Sequence, residues 1–165
     1  MQRRDVFKGL ALVLGGVVSH SCSQALKVPA AQRKALAGTM TDEQRAAVYR
    51  CADLIIPTTD TPGAIEAGVG EFLDYVISVW YQADEREVFF AGLAQMLEEA
   101  QSLYGEHFVA LKESYQVALL QASEAREPAS SALSFGNNGS KFFGKIKELT
   151  ITGYYNSKVG ATIER

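Results

Sequence analysis

The sequence predicts an all-α protein, a small helical domain of about five helices behind an N-terminal signal segment. From Thr41 onward, apolar residues recur at the 3.6-residue period of an amphipathic helix almost without a break. Glycine and proline gather between the periodic stretches, where they end helices and make turns. With 165 residues, 47% apolar and 21% charged, the chain can build one packed core and has no polar tract that would keep it unfolded. Three segments follow: a signal at residues 1–21, a linker at 22–40 and a single helical domain at 41–165.

Met1 to Lys8 is a short charged stretch, and Gly9 to Val18 is a run of ten apolar residues. At about 1.5 Å per residue that run reaches only half-way across roughly 30 Å of hydrocarbon, so it reads as the apolar part of a signal peptide. Arg3-Arg4, followed by Val6, Phe7 and Lys8, resembles the twin-arginine export motif, whose route carries folded cargo. An ordinary secretory signal holding two arginines is the alternative. Either route delivers an exported protein, to the periplasm or the periplasmic face of the membrane. Cys22 stands where a lipoprotein's acylated cysteine would stand, although Ser19-His20-Ser21 is a poor lipid-attachment signal. A free thiol, or a disulfide to Cys51, are the other two readings. Membrane contact is expected only through the signal or a lipid anchor.

Within the body, Thr41-Asp42-Glu43-Gln44 is a capping box that opens the first helix, with Val48, Cys51, Ala52 and Ile55 on one face. Pro57 ends it. In the turn Pro57-Thr58-Thr59-Asp60-Thr61-Pro62-Gly63, Pro62 suits the first position of a second helix. That helix carries the clearest stripe, Ile65, Val69, Phe72, Leu73, Val76, Ile77 and Trp80, and is expected at the centre of the core. Asp84 with Glu87 suits the cap of a third helix, with Phe89, Phe90, Leu93, Met96, Leu97, Ala100 and Leu103 inside and Gly105 as its stop. A shorter run follows through Phe108, Leu111, Tyr115, Ala118 and Leu119. Residues 127–139 read as a surface loop, and Ser140 suits the cap of a last helix bearing Phe142, Phe143, Ile146, Leu149 and Tyr154. The run Leu149 to Thr152 also suits a strand. In each adjacent pair, Phe89-Phe90, Phe142-Phe143 and Tyr154-Tyr155, one ring is expected toward the rim.

The chemistry available is sparse. Lys plus Arg is 16 against 19 for Asp plus Glu, a formal charge of −3, which gives no basic footprint for nucleic acid. Removing residues 1–21 takes away Arg3, Arg4, Lys8 and Asp5 and leaves 13 basic and 18 acidic residues, a charge of −5. There is no Cys-x-x-Cys-His for haem attachment, and no GxGxxG or GxxxxGK[ST] loop for a dinucleotide or phosphate. His107 is then the sole imidazole, at a helix start where a solvated or capping role is usual. A zinc site would have to be assembled from Cys51, His107 and scattered carboxylates, and is not expected. Asp84-Glu85 and Glu98-Glu99 read as helix surface, and Cys51 as a small buried hydrophobe. No catalytic, cofactor-binding or metal residue is assigned.

Three stretches carry a resemblance: the twin-arginine start; Ala52-Asp53-Leu54-Ile55-Ile56-Pro57-Thr58-Thr59-Asp60-Thr61-Pro62-Gly63-Ala64 leading into Ala67-Gly68-Val69; and Phe142-Phe143 through Leu149-Thr150-Ile151-Thr152-Gly153-Tyr154-Tyr155-Asn156-Ser157. Together they are similar to the gluconate 2-dehydrogenase subunit 3 family, the small gamma subunit of membrane-associated sugar and sugar-acid dehydrogenases. The resemblance implies an accessory subunit that aids export, folding or assembly of a large flavoprotein of the glucose-methanol-choline type. It implies FAD and haem c in partner subunits, the haem in a multihaem cytochrome c, and no cofactor in this chain. The matching positions are Asp53, Pro57, Thr58, Thr59, Asp60, Thr61, Pro62 and Gly63, then Gly153, Tyr154 and Tyr155. None has a catalytic assignment; each is a structural or partner-interface candidate. Relatives usually continue past Gly160 into a Tyr- and Pro-containing tail, whereas this sequence stops at Arg165, which reads either as loss of the tail or as a short variant. A stand-alone envelope lipoprotein or adaptor is the alternative function.

Overall fold

A computed structural model describes residues 40–127 and 142–163. Arg3, Arg4, Cys22, Ser140 and most of the expected 127–139 loop lie outside the described residues. Within them the protein is all-α: α1 (Asp42–Ile55), α2 (Val69–Tyr75), α3 (Ala83–Tyr104), α4 (Glu113–Ala125), α5 (Phe142–Asn156) and α6 (Lys158–Ile163). A π-helical turn, Val76–Trp80, continues α2, and a 3-10 turn, Phe108–Ala110, precedes α4. Among the described residues there is no strand, so Leu149 to Thr152 is helix.

The predicted capping box is present at α1. Thr41 Oγ1 accepts from Gln44 N–H at 3.1 Å, and Gln44 Oε1 accepts from Thr41 N–H at 2.9 Å. This satisfies amides that have no partner inside the helix. Val48, Cys51 and Ala52 are buried on its inner face. Helix α5, and not α2, occupies the centre, packing against all five others. Its buried residues, Phe142, Phe143, Ile146, Thr150, Gly153 and Tyr154, spread over about 120° of arc at the helical pitch, wide enough to meet several neighbours. Both Phe142 and Phe143 are therefore buried, against the expectation for that pair, whereas Phe90 and Tyr155 do lie outward of Phe89 and Tyr154. The first amides of α5 are held from another helix's end: Glu127 accepts from Phe143 N–H at 2.7 Å and Gly144 N–H at 3.0 Å.

Further expectations are corrected. Helix α2 starts at Val69 and not at Pro62, because residues 64–68 form turns that end in Gly68 at φ 82°. Ile65 and Trp80 leave the predicted stripe and are exposed; Val69, Leu73 and Ile77 keep it. Trp80 leaves because the π turn closes with Tyr81 N–H on Val76 O, five residues back, at 3.1 Å. Each such turn takes in one residue more than an α turn, so the next inward position falls on Tyr81. Helix α3 is capped two residues before Asp84: Gln82 N–H donates to Glu85 Oε2 at 3.0 Å. Gly105 at φ 74° does end it, but Leu103 is 66% exposed. In α4 the inward positions are Gln116, Leu119, Leu120 and Ser123, and Tyr115 and Ala118 face solvent, Tyr115 stacked on Tyr104 at 4.4 Å.

Candidate functional site

The turn after α1 is shaped by its two prolines. Pro57 forces Ile56 out of helical geometry, to φ −132° and ψ 84°. The Ile56 carbonyl then accepts from Ala64 N–H at 2.8 Å, closing residues 57–63 into a loop at its base. Inside it, Thr58 Oγ1 accepts from Gly63 N–H at 3.2 Å and Thr61 O accepts from Thr59 N–H at 3.0 Å. Gly63 is required by close approach: a Cβ there would stand 2.5 Å from Thr58 N and 2.8 Å from Ile56 O.

The second motif braces this loop from outside. Tyr154 Oη, 92 residues further along the chain, donates to Pro62 O at 3.0 Å. Gly153 lets α5 come down on Phe72, with the place of a Cβ 2.7 Å from Phe72 Cδ1. Tyr155 stands edge-on to Tyr154, ring centroids 5.7 Å apart, and is 50% exposed. The structure thus brings Pro57 to Gly63 together with Gly153, Tyr154 and Tyr155. Pro57, Thr58, Thr59, Asp60 and Thr61 are all exposed. Among the described residues, the side chains of Thr59, Asp60 and Thr61 form no hydrogen bond or ion pair.

Asp53 belongs to a different arrangement. It is ion-paired with Arg50, which also donates to Glu113 at 2.9 Å and to Gln116 Oε1 at 2.8 Å. Gln116, 1% exposed, donates in turn to Phe108 O at 2.9 Å. That network ties α1 to α4 and gives the Phe108 carbonyl a second hydrogen bond beside the one it accepts from Leu111 N–H at 3.3 Å. Sequence reasoning missed Arg50 and Gln116. The one available signal was Gln116 itself, a polar residue three and four positions before Leu119 and Leu120 on the inward face.

The remaining titratable groups are dispersed. His107 is 71% exposed at its side chain, with Nδ1 2.7 Å from Glu43 Oε1. Cys51 is fully buried on α1, and desolvation pushes its thiol up, so it stays protonated. Burial also pushes the Tyr49 phenol up, helped by Asp74, which accepts its hydrogen bond at 2.9 Å. Tyr81 is raised by burial and then by the carboxylates of Glu148 and Glu85. Among the described residues no three His, Cys, Asp or Glu side chains come together in a way that could hold a metal ion. None of the described helices is long and apolar enough to cross a membrane.

What the site offers is a polar loop held by backbone bonds and by α5, with side chains turned to solvent. No curated protein and no solved structure matches the chain. The family model for gluconate 2-dehydrogenase subunit 3 matches residues 42–164, which takes in every helix described, the braced loop and the tyrosines that hold it. The chain belongs to the gluconate 2-dehydrogenase subunit 3 family.

Proposed function

We propose that this protein is the small, non-catalytic subunit of an exported flavin-dependent sugar or sugar-acid dehydrogenase, aiding export, folding or assembly of the catalytic subunit. Family membership over residues 42–164 carries this reading and implies association with a gluconate dehydrogenase complex. The large subunit is a flavoprotein of the glucose-methanol-choline type, with a multihaem cytochrome c as the electron acceptor. FAD and haem c sit in those chains, and this one supplies a binding surface and an address. Arg3-Arg4 and the apolar run after them support export by the twin-arginine route, which suits a partner that folds around its flavin before crossing.

The test is to replace both arginines, Arg3→Lys with Arg4→Lys, in cells that make both subunits. The flavoprotein then accumulates in the cytoplasm with the small subunit, and periplasmic dehydrogenase activity falls at least about tenfold. A flavoprotein that reaches the periplasm unaided overturns the export role. Cys22, placed just after the apolar run, favours one second reading, an envelope lipoprotein without a dehydrogenase partner. Acylation of Cys22 together with unchanged flavoprotein export would favour it.

A further inference from the structure

The π turn Val76–Trp80 gathers several local costs into one short stretch. Its hydrogen bonding is the less favourable i-to-i+5 kind. Ser78 Oγ and Tyr81 Oη are buried without a hydrogen-bond partner among the described residues, and Tyr81 is only 9% exposed. The same turn sets Val79 and Trp80, two large apolar side chains, in solvent at 54% and 47% exposure. A regular α turn would carry Trp80 on the inward stripe with Ile77, so the outward indole is a product of the irregularity. Arg86 Nη1 donates to Ser78 O at 3.0 Å and pins the first turns of α3 against the segment. Asp84 and Glu87, exposed on those turns, together with Glu85 outnumber the Arg86 guanidinium, so the neighbourhood carries net acidic charge. Local rule-breaking concentrated in this way is typical of a functional surface.

We propose that Val79 and Trp80 are the anchor of the surface that docks the dehydrogenase subunit, a folded protein offering an apolar pocket for the indole with arginine or lysine at its rim. The inference rests on the subunit reading above and names the face it uses. Tryptophan is one of the three residues, with tyrosine and arginine, that are enriched at the energetic centre of an interface. Carboxylates on the adjoining turns of α3 match a basic rim and steer its approach. The same carboxylates disfavour the other occupants. In a two-fold pair of this chain they would face their own copies, and at an anionic membrane they would meet like charge.

Trp80 is the single tryptophan of the chain, so 5-fluorotryptophan gives one fluorine resonance that reports on this surface without any substitution. The full-length protein is titrated with the flavoprotein that co-isolates with it. The resonance is expected to shift on binding. Trp80→Ala is expected to weaken the complex at least about tenfold, about 1.4 kcal/mol. The pair Asp84→Lys with Glu87→Lys weakens it too, and reduces its sensitivity to salt. Leu103→Ala, exposed near the other end of α3, stays within about twofold. Full affinity of Trp80→Ala with an unmoved resonance overturns the docking face while leaving the subunit reading intact. A complete lack of co-isolating flavoprotein overturns both. A resonance that moves with the protein's own concentration, or with phosphatidylglycerol vesicles and not with the flavoprotein, assigns the surface elsewhere and overturns the proposal.

Discussion

The hydroxyl of Tyr154 and the missing side chain of Gly63 decide whether the exposed loop keeps one shape. Tyr154→Phe removes a single bond to the half-buried Pro62 carbonyl. The expected loss is about 0.5–1.5 kcal/mol, read as a lowered urea midpoint with an unchanged slope. Gly63→Ala is more severe, because the new methyl meets the backbone of Thr58 and Ile56, which cannot rotate away. It is expected to cost about 1–3 kcal/mol and to raise amide exchange at residues 58–64. The phenols of Tyr81 and Tyr49 are raised by burial, so the folded state holds their protons more tightly than the unfolded chain. Their contribution is full below the ordinary tyrosine value of about 10 and is lost as pH rises above it. Thermal midpoints should therefore fall above about pH 10, and Tyr81→Phe should flatten that fall. The Cys51 thiol should resist alkylation in a folded Cys22→Ser variant and react once urea unfolds it.

At the scale of elements, the boundaries legible in the sequence were those set by neighbours a few residues away. Thr41 and Gln44 are three residues apart and their reciprocal bonds form as expected. Pro57 ends α1 and Gly105 ends α3 for equally local reasons. Pro62 satisfies a helix start locally, whereas the loop's closure by Ile56 and Ala64 delays the start of α2 to Val69. The π turn leaves no mark in an apolar period that accommodates both Trp80 and Tyr81. The cap of α5 was also illegible, since Glu127 comes from the end of α4, sixteen residues before Phe143. Glu127→Ala should destabilise the protein by about 0.5–2 kcal/mol. Loss of protection should be concentrated in the first turn of α5, measured by amide exchange.

For the whole molecule, the all-α class followed from periodicity, but the hub did not. The stripe on α2 is the strongest in the sequence, yet α5 takes the centre, because its buried arc of about 120° is wide enough to pack against every other helix. Of the candidate site, the residues could be named from resemblance, while their contact could not: a bond between Tyr154 and Pro62 is a fact of tertiary packing. Asp53 shares with the loop the stretch that carries the resemblance, but it is drawn instead into the Arg50 and Gln116 network. The central claim is that such a chain works as one subunit of a dehydrogenase assembly. The direct measurement is affinity isolation of the tagged full-length protein from the cell envelope, with mass spectrometry and a flavin absorbance scan of what comes with it. The account predicts a large flavoprotein in near-equal amount and a flavin spectrum. A colourless protein recovered without that partner would contradict it.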